Sequence, residues 1–438
     1  MSIPQTNRKV NLLQATSINM IDMVGIGPFV VMPFIVAQFD NGLFIWAWIF
    51  GAFTAFVDGM IWSELGAKYP LAGGTYNFHR IAYGEKGGKL MSFLFVWQTS
   101  IQAPLVVASA AIGFSQYLTY IVPLSDWQQK FVSAGLIIFV LILLYRKIET
   151  VGKISVVFGL IVIGTIIWII ISGLSHQQHP VKIWPEGDES FFRFSFWAAV
   201  AQGSIKSVYS YLGYYNVCHL GGEIKKPEIN IPRSIFISIA GIAILYLLMN
   251  VAVMGVVPWQ AVNADDKYLV STFMEQLYGH DAAVVVTVLI LCIAMSSLFA
   301  VVLGYSRVPY AAAVDGNFFS VFGKLHPKRN FPYVSLLVLC GLGLVLSMFM
   351  KLKDVITAIL AMRIVVQFIA QAVGVVLLRR RTGTKHLPFK MWLYPLPVII
   401  SVILWIFLLY HNEFALYGGI IAMVGIGIYF VKKAIVKN

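Results

Sequence analysis

Residues 22–34 read DMVGIGPFVVMPF, setting an acid, two glycines and two prolines inside a stretch apolar enough to cross a bilayer. Pro28 withholds a backbone donor and Gly25 and Gly27 loosen the chain, so a continuous helix is weakened here. A half-helix that begins inside the membrane presents free N–H groups and a positive dipole end, while the half before it leaves free carbonyls. A zwitterion fits both. In that reading the amides of Gly25, Ile26 and Gly27 take a carboxylate, and Pro28 suits the first turn of the second half-helix. Asp22, within one turn of the break, receives an ammonium or a proton, or else serves as a structural ion pair or cap. The competing explanation is that glycine and proline are simply common in transmembrane helices, as packing sites and kinks. A second candidate break, VYSYLGYYNV at 208–217, favours a site.

The elements that must position these residues follow from composition. Of 438 residues, 59% are hydrophobic and 12% charged, and mean hydropathy is +0.81. No soluble class has that balance over such a length. Apolar runs of spanning length recur at about 14–38, 41–66, 90–122, 131–145, 151–174, 194–220, 234–257, 282–304, 332–350, 354–378, 392–410 and 415–431. The expected fold is thus all-α and integral to the membrane, with about twelve helices. Breaks in the first and sixth spans are what an inverted repeat of five plus five helices produces, here 14–174 and 194–378, with two added helices over 392–431. The polar interruptions are too short to fold alone, so residues 1–438 read as one domain. The first span carries Asp22 and no small-residue cleavage site, and reads as retained structure.

A net charge of +13 raises nucleic acid as a partner, and the placement of the charges decides against it. Most Lys and Arg, among them Arg8, Lys9, Lys68, Arg146, Lys147, Arg379, Arg380, Arg381, Lys432 and Lys433, fall at the same face as the N-terminus. The positive-inside rule then places both termini in the cytoplasm. Cys218, Cys292 and Cys340 all lie in spans and lack metal-ligand spacing, as do the histidines. GIGPFV lacks the third glycine of a dinucleotide fingerprint, GEKGGK at 84–89 lacks P-loop spacing, and neither HExxH nor GxSxG occurs. No cofactor, metal or enzyme activity is expected.

The chain resembles the amino acid-polyamine-organocation transporter superfamily, especially the L-type amino acid transporters and their bacterial relatives. The motifs are GIGPF in span one, SELGAKYPLAGGTYNFHRIAYG after span two, YLGYYN with GEIKKPEINIPRSI around span six, and SRVPYAAAVDGNFFSVFGKLHPKRNFP after span eight. The resemblance implies the leucine-transporter-like inverted repeat. It also implies that Gly25, Ile26 and Gly27 line the carboxylate side of a substrate site. Tyr209 then matches an aromatic outer gate, and Ser210, Tyr211 and Gly213 match the unwound segment whose carbonyls meet the substrate ammonium. Lys153 matches a family lysine whose ammonium stands where sodium sits in sodium-coupled relatives, bridging span one to span eight near Ser296 and Ser297. Its other reading is a positive-inside flank. Ile26, Gly213-Tyr214, Pro28 and Asp22 depart from many relatives, so side-chain preference does not transfer.

Asp22, Asp58, Lys206 and Arg363 lie within spans, each costing roughly 2.5–3.5 kcal/mol at a helix centre on insertion scales, and so face the bundle interior or water. Asp58 and Lys206 are a candidate pair, Arg363 a candidate scaffold anchor, and Glu223 an inner-gate or surface contact. The resulting expectation is a sodium-independent plasma-membrane transporter that moves a small L-amino acid by alternating access, through exchange or proton symport. The alternatives are an amine or polyamine carrier, which Asp22 supports, a nutrient sensor of the same fold, and a membrane-embedded enzyme using Asp22 and Asp58. Its partners are the amino acid, the bilayer and optionally protons, with no nucleic acid and no obligatory partner chain.

Overall fold

The computed structural model describes residues 8–71, 73–145, 151–185, 191–327 and 331–435, with the backbone alone at 151–156. Helices dominate, and no strand occurs among the described residues. The first are α1 (Leu12–Met23), α2 (Gly27–Val36), α3 (Ile45–Lys68), α4 (Thr75–Ala82), α5 (Gly84–Leu118), α6 (Asp126–Leu144) and α7 (Val151–Ser175). After them come α8 (Phe194–Tyr211), α9 (Asn216–His219), α10 (Pro227–Met254), α11 (Leu269–Tyr278), α12 (His280–Tyr305) and α13 (Arg307–Val314). The last are α14 (Tyr333–Phe349), α15 (Leu352–Arg363), α16 (Ala370–Thr382), α17 (Leu396–Tyr410) and α18 (Ala415–Ile435).

Eight of these helical stretches are long and apolar enough to cross a membrane, counting α12 with α13 and α15 with α16 as one stretch each. The pair α1 and α2 makes a ninth, bent by 45° at the break between them. Helices α14 and α17 are apolar but shorter. Local sequence explains several starts. Asn11 with Gln14, and Ser125 with Gln128, form reciprocal capping boxes on α1 and α6. Pro227 opens α10 in its first turn, so that helix begins seven residues before the apolar run expected at 234.

Helix α5 runs through the middle of the bundle, packed against α12, α14 and α15, while α3 packs on α10 and α8, and α1 on α10, α7 and α12. Helix α18 buries only Gly418 and Gly425, leaving an apolar outer face of the kind lipid covers. Ahead of α1, Val10 pairs in a parallel bridge with the segment after α9. Its amide donates to the Glu223 carbonyl at 3.0 Å, and its carbonyl accepts from the Lys225 amide at 2.8 Å.

The expected pairing of Asp58 with Lys206 does not occur. The buried Asp58 carboxylate instead accepts from the Tyr214 hydroxyl at 2.6 Å, Trp62 Nε1 at 2.8 Å, Trp405 Nε1 at 3.3 Å and the Ser401 hydroxyl at 3.4 Å. Four neutral donors satisfy its two oxygens without a counter-charge. Lys206, 8% exposed, donates to the Thr357 hydroxyl on α15.

Candidate functional site between the two broken helices

Helix α1 closes at Met23, where the Val24 amide returns to the Met20 carbonyl at 2.8 Å. The chain then bends through Val24–Ile26 and restarts at Gly27, with Pro28 in the first turn of α2. The amides of Phe29 and Val30 both reach the Ile26 carbonyl at 3.2 Å. Those of Gly25 and Ile26 have no acceptor among the described residues. Amides left unpartnered inside a protein are uncommon, and at the start of a helix they suit an anion.

The second break follows α8, a turn over residues 212–215 separating it from α9. Gly213 there has φ +123, in the region that favours glycine. It also lies against the first break. A Cβ built on it falls 2.8 Å from both the Asp22 carbonyl carbon and the Met23 amide nitrogen. Polar groups then tie the two breaks together. The Tyr246 hydroxyl of α10 donates to the Met23 carbonyl at 2.9 Å and lies 3.3 Å from that of Ser210. Asn19 Oδ1 of α1 accepts from the Val217 amide at 2.9 Å, and the Asp22 side chain lies beside that of Asn216. These contacts make one unit of the two broken helices.

Beside that unit is a cavity. Asp22, Gly25, Ile26, Gly27, Tyr209, Ser210, Gly213 and Ser297 all line it, from three separate stretches of chain. Ser297 on α12 stands close over the first break, since a Cβ on Gly25 would fall 2.6 Å from its Oγ. The Tyr209 hydroxyl meets that of Ser109 on α5 at 2.9 Å, joining α8 to α5 across one end of the cavity.

Two expected site residues stand apart, and a third is undescribed. The Tyr211 ring lies outside the cavity against Trp48 and Tyr246, with centroids 6.2 Å and 5.3 Å away. Ser296 spends its hydroxyl on the Ile293 carbonyl of its own helix at 2.8 Å. Lys153 is in the first turn of α7, and its side chain lies outside the described residues.

Sequence reasoning gave Arg363 a scaffold role, yet its side chain lines the cavity with Tyr305 and Tyr215. It is 4% exposed, donates to the Tyr305 hydroxyl, and sits 5.3 Å and 5.6 Å from the ring centroids of Tyr305 and Tyr215. It also ends α15, where the chain passes into a π-helical stretch over Ile364–Ile369 before resuming as α16. Such wide turns recur at functional sites. The only sequence signal was an arginine in an apolar span.

Residues 10–430 match the family model described as amino acid permease. The uncharacterized amino acid permease YecA of Bacillus subtilis is 23% identical over 79% of this chain and 78% of its own length. The serine/threonine exchanger SteT of the same organism is 22% identical over 90% of this chain and 89% of its own. The human cystine/glutamate transporter is 25% identical over 98% of this chain and 85% of its own. With the family match covering almost the whole chain and apolar helices recurring along it, this is a multi-pass membrane protein belonging to the amino acid permease family.

Proposed function

We propose that the chain is a secondary transporter that carries a small L-amino acid through the cavity between its two broken helices. One observation carries the reading: the adjacent amides of Gly25 and Ile26, without acceptors at the head of α2, beside Asp22 in the same cavity. The amides take the α-carboxylate; Asp22 and the carbonyl end of α8 take the ammonium. In this reading twelve spans form the inverted five-helix repeat with two further helices, and both termini are cytoplasmic at the plasma membrane. Tyr209, held to Ser109, closes the outer side over the substrate. The unit of α1, α2, α3, α8 and α10 then rocks against α5, α6, α12 and α14 to open the inner path.

Transport is sodium-independent, with Lys153 in place of the cation, and runs by exchange or proton symport. The relative named as a serine/threonine exchanger supports exchange, while Asp22 is the group suited to a coupled proton. Asp22 also favours a second reading, an amine or polyamine carrier, which the cationic Arg363 in the same cavity opposes. Purified protein in sealed proteoliposomes without sodium separates these. Uptake of labelled amino acids that requires amino acid inside establishes exchange, and uptake into empty vesicles under a pH gradient establishes symport. Uptake of polyamines alone, with no amino acid carried, would overturn the assignment.

A further inference from the structure

Arg363 is charged, buried and incompletely partnered. Its guanidinium donates to the Tyr305 hydroxyl, but Nε is buried without any acceptor. No carboxylate lies within 4 Å of it among the described residues. A guanidinium held this way is costly, and native structures seldom leave such a group without a ligand or a role. Two aromatic faces, Tyr305 and Tyr215, hold its plane at the cavity wall.

The cavity therefore has two features that seek an anion and one that seeks a cation. The amides of Gly25 and Ile26 seek one carboxylate, Arg363 seeks another, and Asp22, which lines the same cavity within the field of Arg363 without forming an ion pair with it, is placed for an ammonium. A neutral amino acid satisfies only one of the two anion-seeking features. An amino acid with a side-chain carboxylate satisfies both, and the forked guanidinium receives a carboxylate in bidentate geometry. We infer that Arg363 sets the side-chain specificity of this chain, making an acidic amino acid of the aspartate and glutamate class its substrate. The inference rests on the amino acid reading above and on the α-carboxylate lying at the amides.

The test compares acids with their amides, which match them in shape and lack only the charge. Competition of L-glutamate and L-aspartate against L-glutamine and L-asparagine is measured on the purified full chain, together with the ligand-induced shift in melting temperature. The acids are expected to bind at least tenfold more tightly than the amides. Arg363→Gln is expected to bring that ratio to near one, and Arg363→Lys to leave it in between, since an ammonium keeps the charge without the fork. Where Arg363→Gln does not fold, the wild-type ratio and the Arg363→Lys variant decide. Amides that bind as tightly as acids to the wild-type chain would overturn the inference while leaving amino acid transport standing. A folded wild-type chain that binds neither would overturn the inference, and the uptake of other labelled amino acids then decides the amino acid reading.

Discussion

The Tyr246 hydroxyl reaches the Met23 carbonyl at 2.9 Å, and so a side chain of an unbroken helix supplies a hydrogen bond that the break in α1 takes away. The same hydroxyl lies 3.3 Å from the Ser210 carbonyl, one residue before the end of α8. Both broken helices thus lean on one donor. Tyr246→Phe keeps the ring against Trp48 and Tyr211 and removes only the hydroxyl. Leaving buried carbonyls without a donor costs about 1–3 kcal/mol. The variant is expected to melt several degrees lower in detergent and to bind substrate more weakly, read by thermal unfolding with and without ligand. Unchanged melting and affinity would mean that the breaks hold themselves.

Gly213 is needed twice over, by its φ of +123 and by its contact with the backbone of Asp22 and Met23. A methyl group there strains its own residue by about 1–3 kcal/mol and pushes against peptide atoms that cannot rotate away. Gly213→Ala is expected to lose transport by at least tenfold while the protein still elutes as a single folded species on size-exclusion chromatography. Normal uptake by this variant would show that the two breaks are free to separate.

Asp22 and Asp58 are expected to fail differently. Asp58 is held by four donors from α3, the turn after α8, and α17, and is absent from the cavity wall. Asp58→Asn replaces one oxygen by a donor that faces other donors. It is expected to lower stability by about 1–3 kcal/mol, with substrate affinity changed less than twofold. Asp22 lines the cavity, so Asp22→Asn is expected to raise the KM for transport tenfold or more with little change in melting. Thermal unfolding and uptake kinetics measured together on both variants check the contrast, and a reversed pattern would exchange their roles.

Much of this site was legible because its chemistry lies in the backbone. Gly25, Gly27, Pro28 and Gly213 announce interrupted helices by residue type, and the second break stands where the first leads one to look. Partnerships between distant stretches left no such mark. Trp62 is four residues from Asp58 and falls on the same helix face, but Tyr214 and Trp405 lie 156 and 347 residues away. The same distance hid the place of Arg363. A charge in a span signals only that it faces inward, and whether it anchors the scaffold or lines a cavity depends on the turn of α15 against its neighbours. The π-helical stretch after Arg363 changes that turn and has no residue signature of its own.

That stretch is also gripped from outside the spans, which gives a pH dependence. His79, on the short helix α4, donates from Nε2 to the Val366 carbonyl within the π-helical stretch at 2.6 Å. Its Nδ1 is buried with no partner, so a second proton would have no acceptor, and burial pushes its pKa down from 6.5 to about 4. Above about pH 6.5 the ring is neutral whether the chain is folded or not, and the stabilisation is complete. As pH falls from 6.5 toward 4 the unfolded chain takes up a proton that the folded chain refuses, so stability declines through that window and levels off below it. His79→Gln keeps a donor for Val366 and does not titrate. The melting temperature of the wild-type chain is therefore expected to fall more steeply between pH 6.5 and 4.5 than that of His79→Gln. The slopes are compared by following unfolding in detergent across that range. Equal slopes would mean that other groups carry the acid sensitivity and that α4 holds the stretch after Arg363 regardless of its charge.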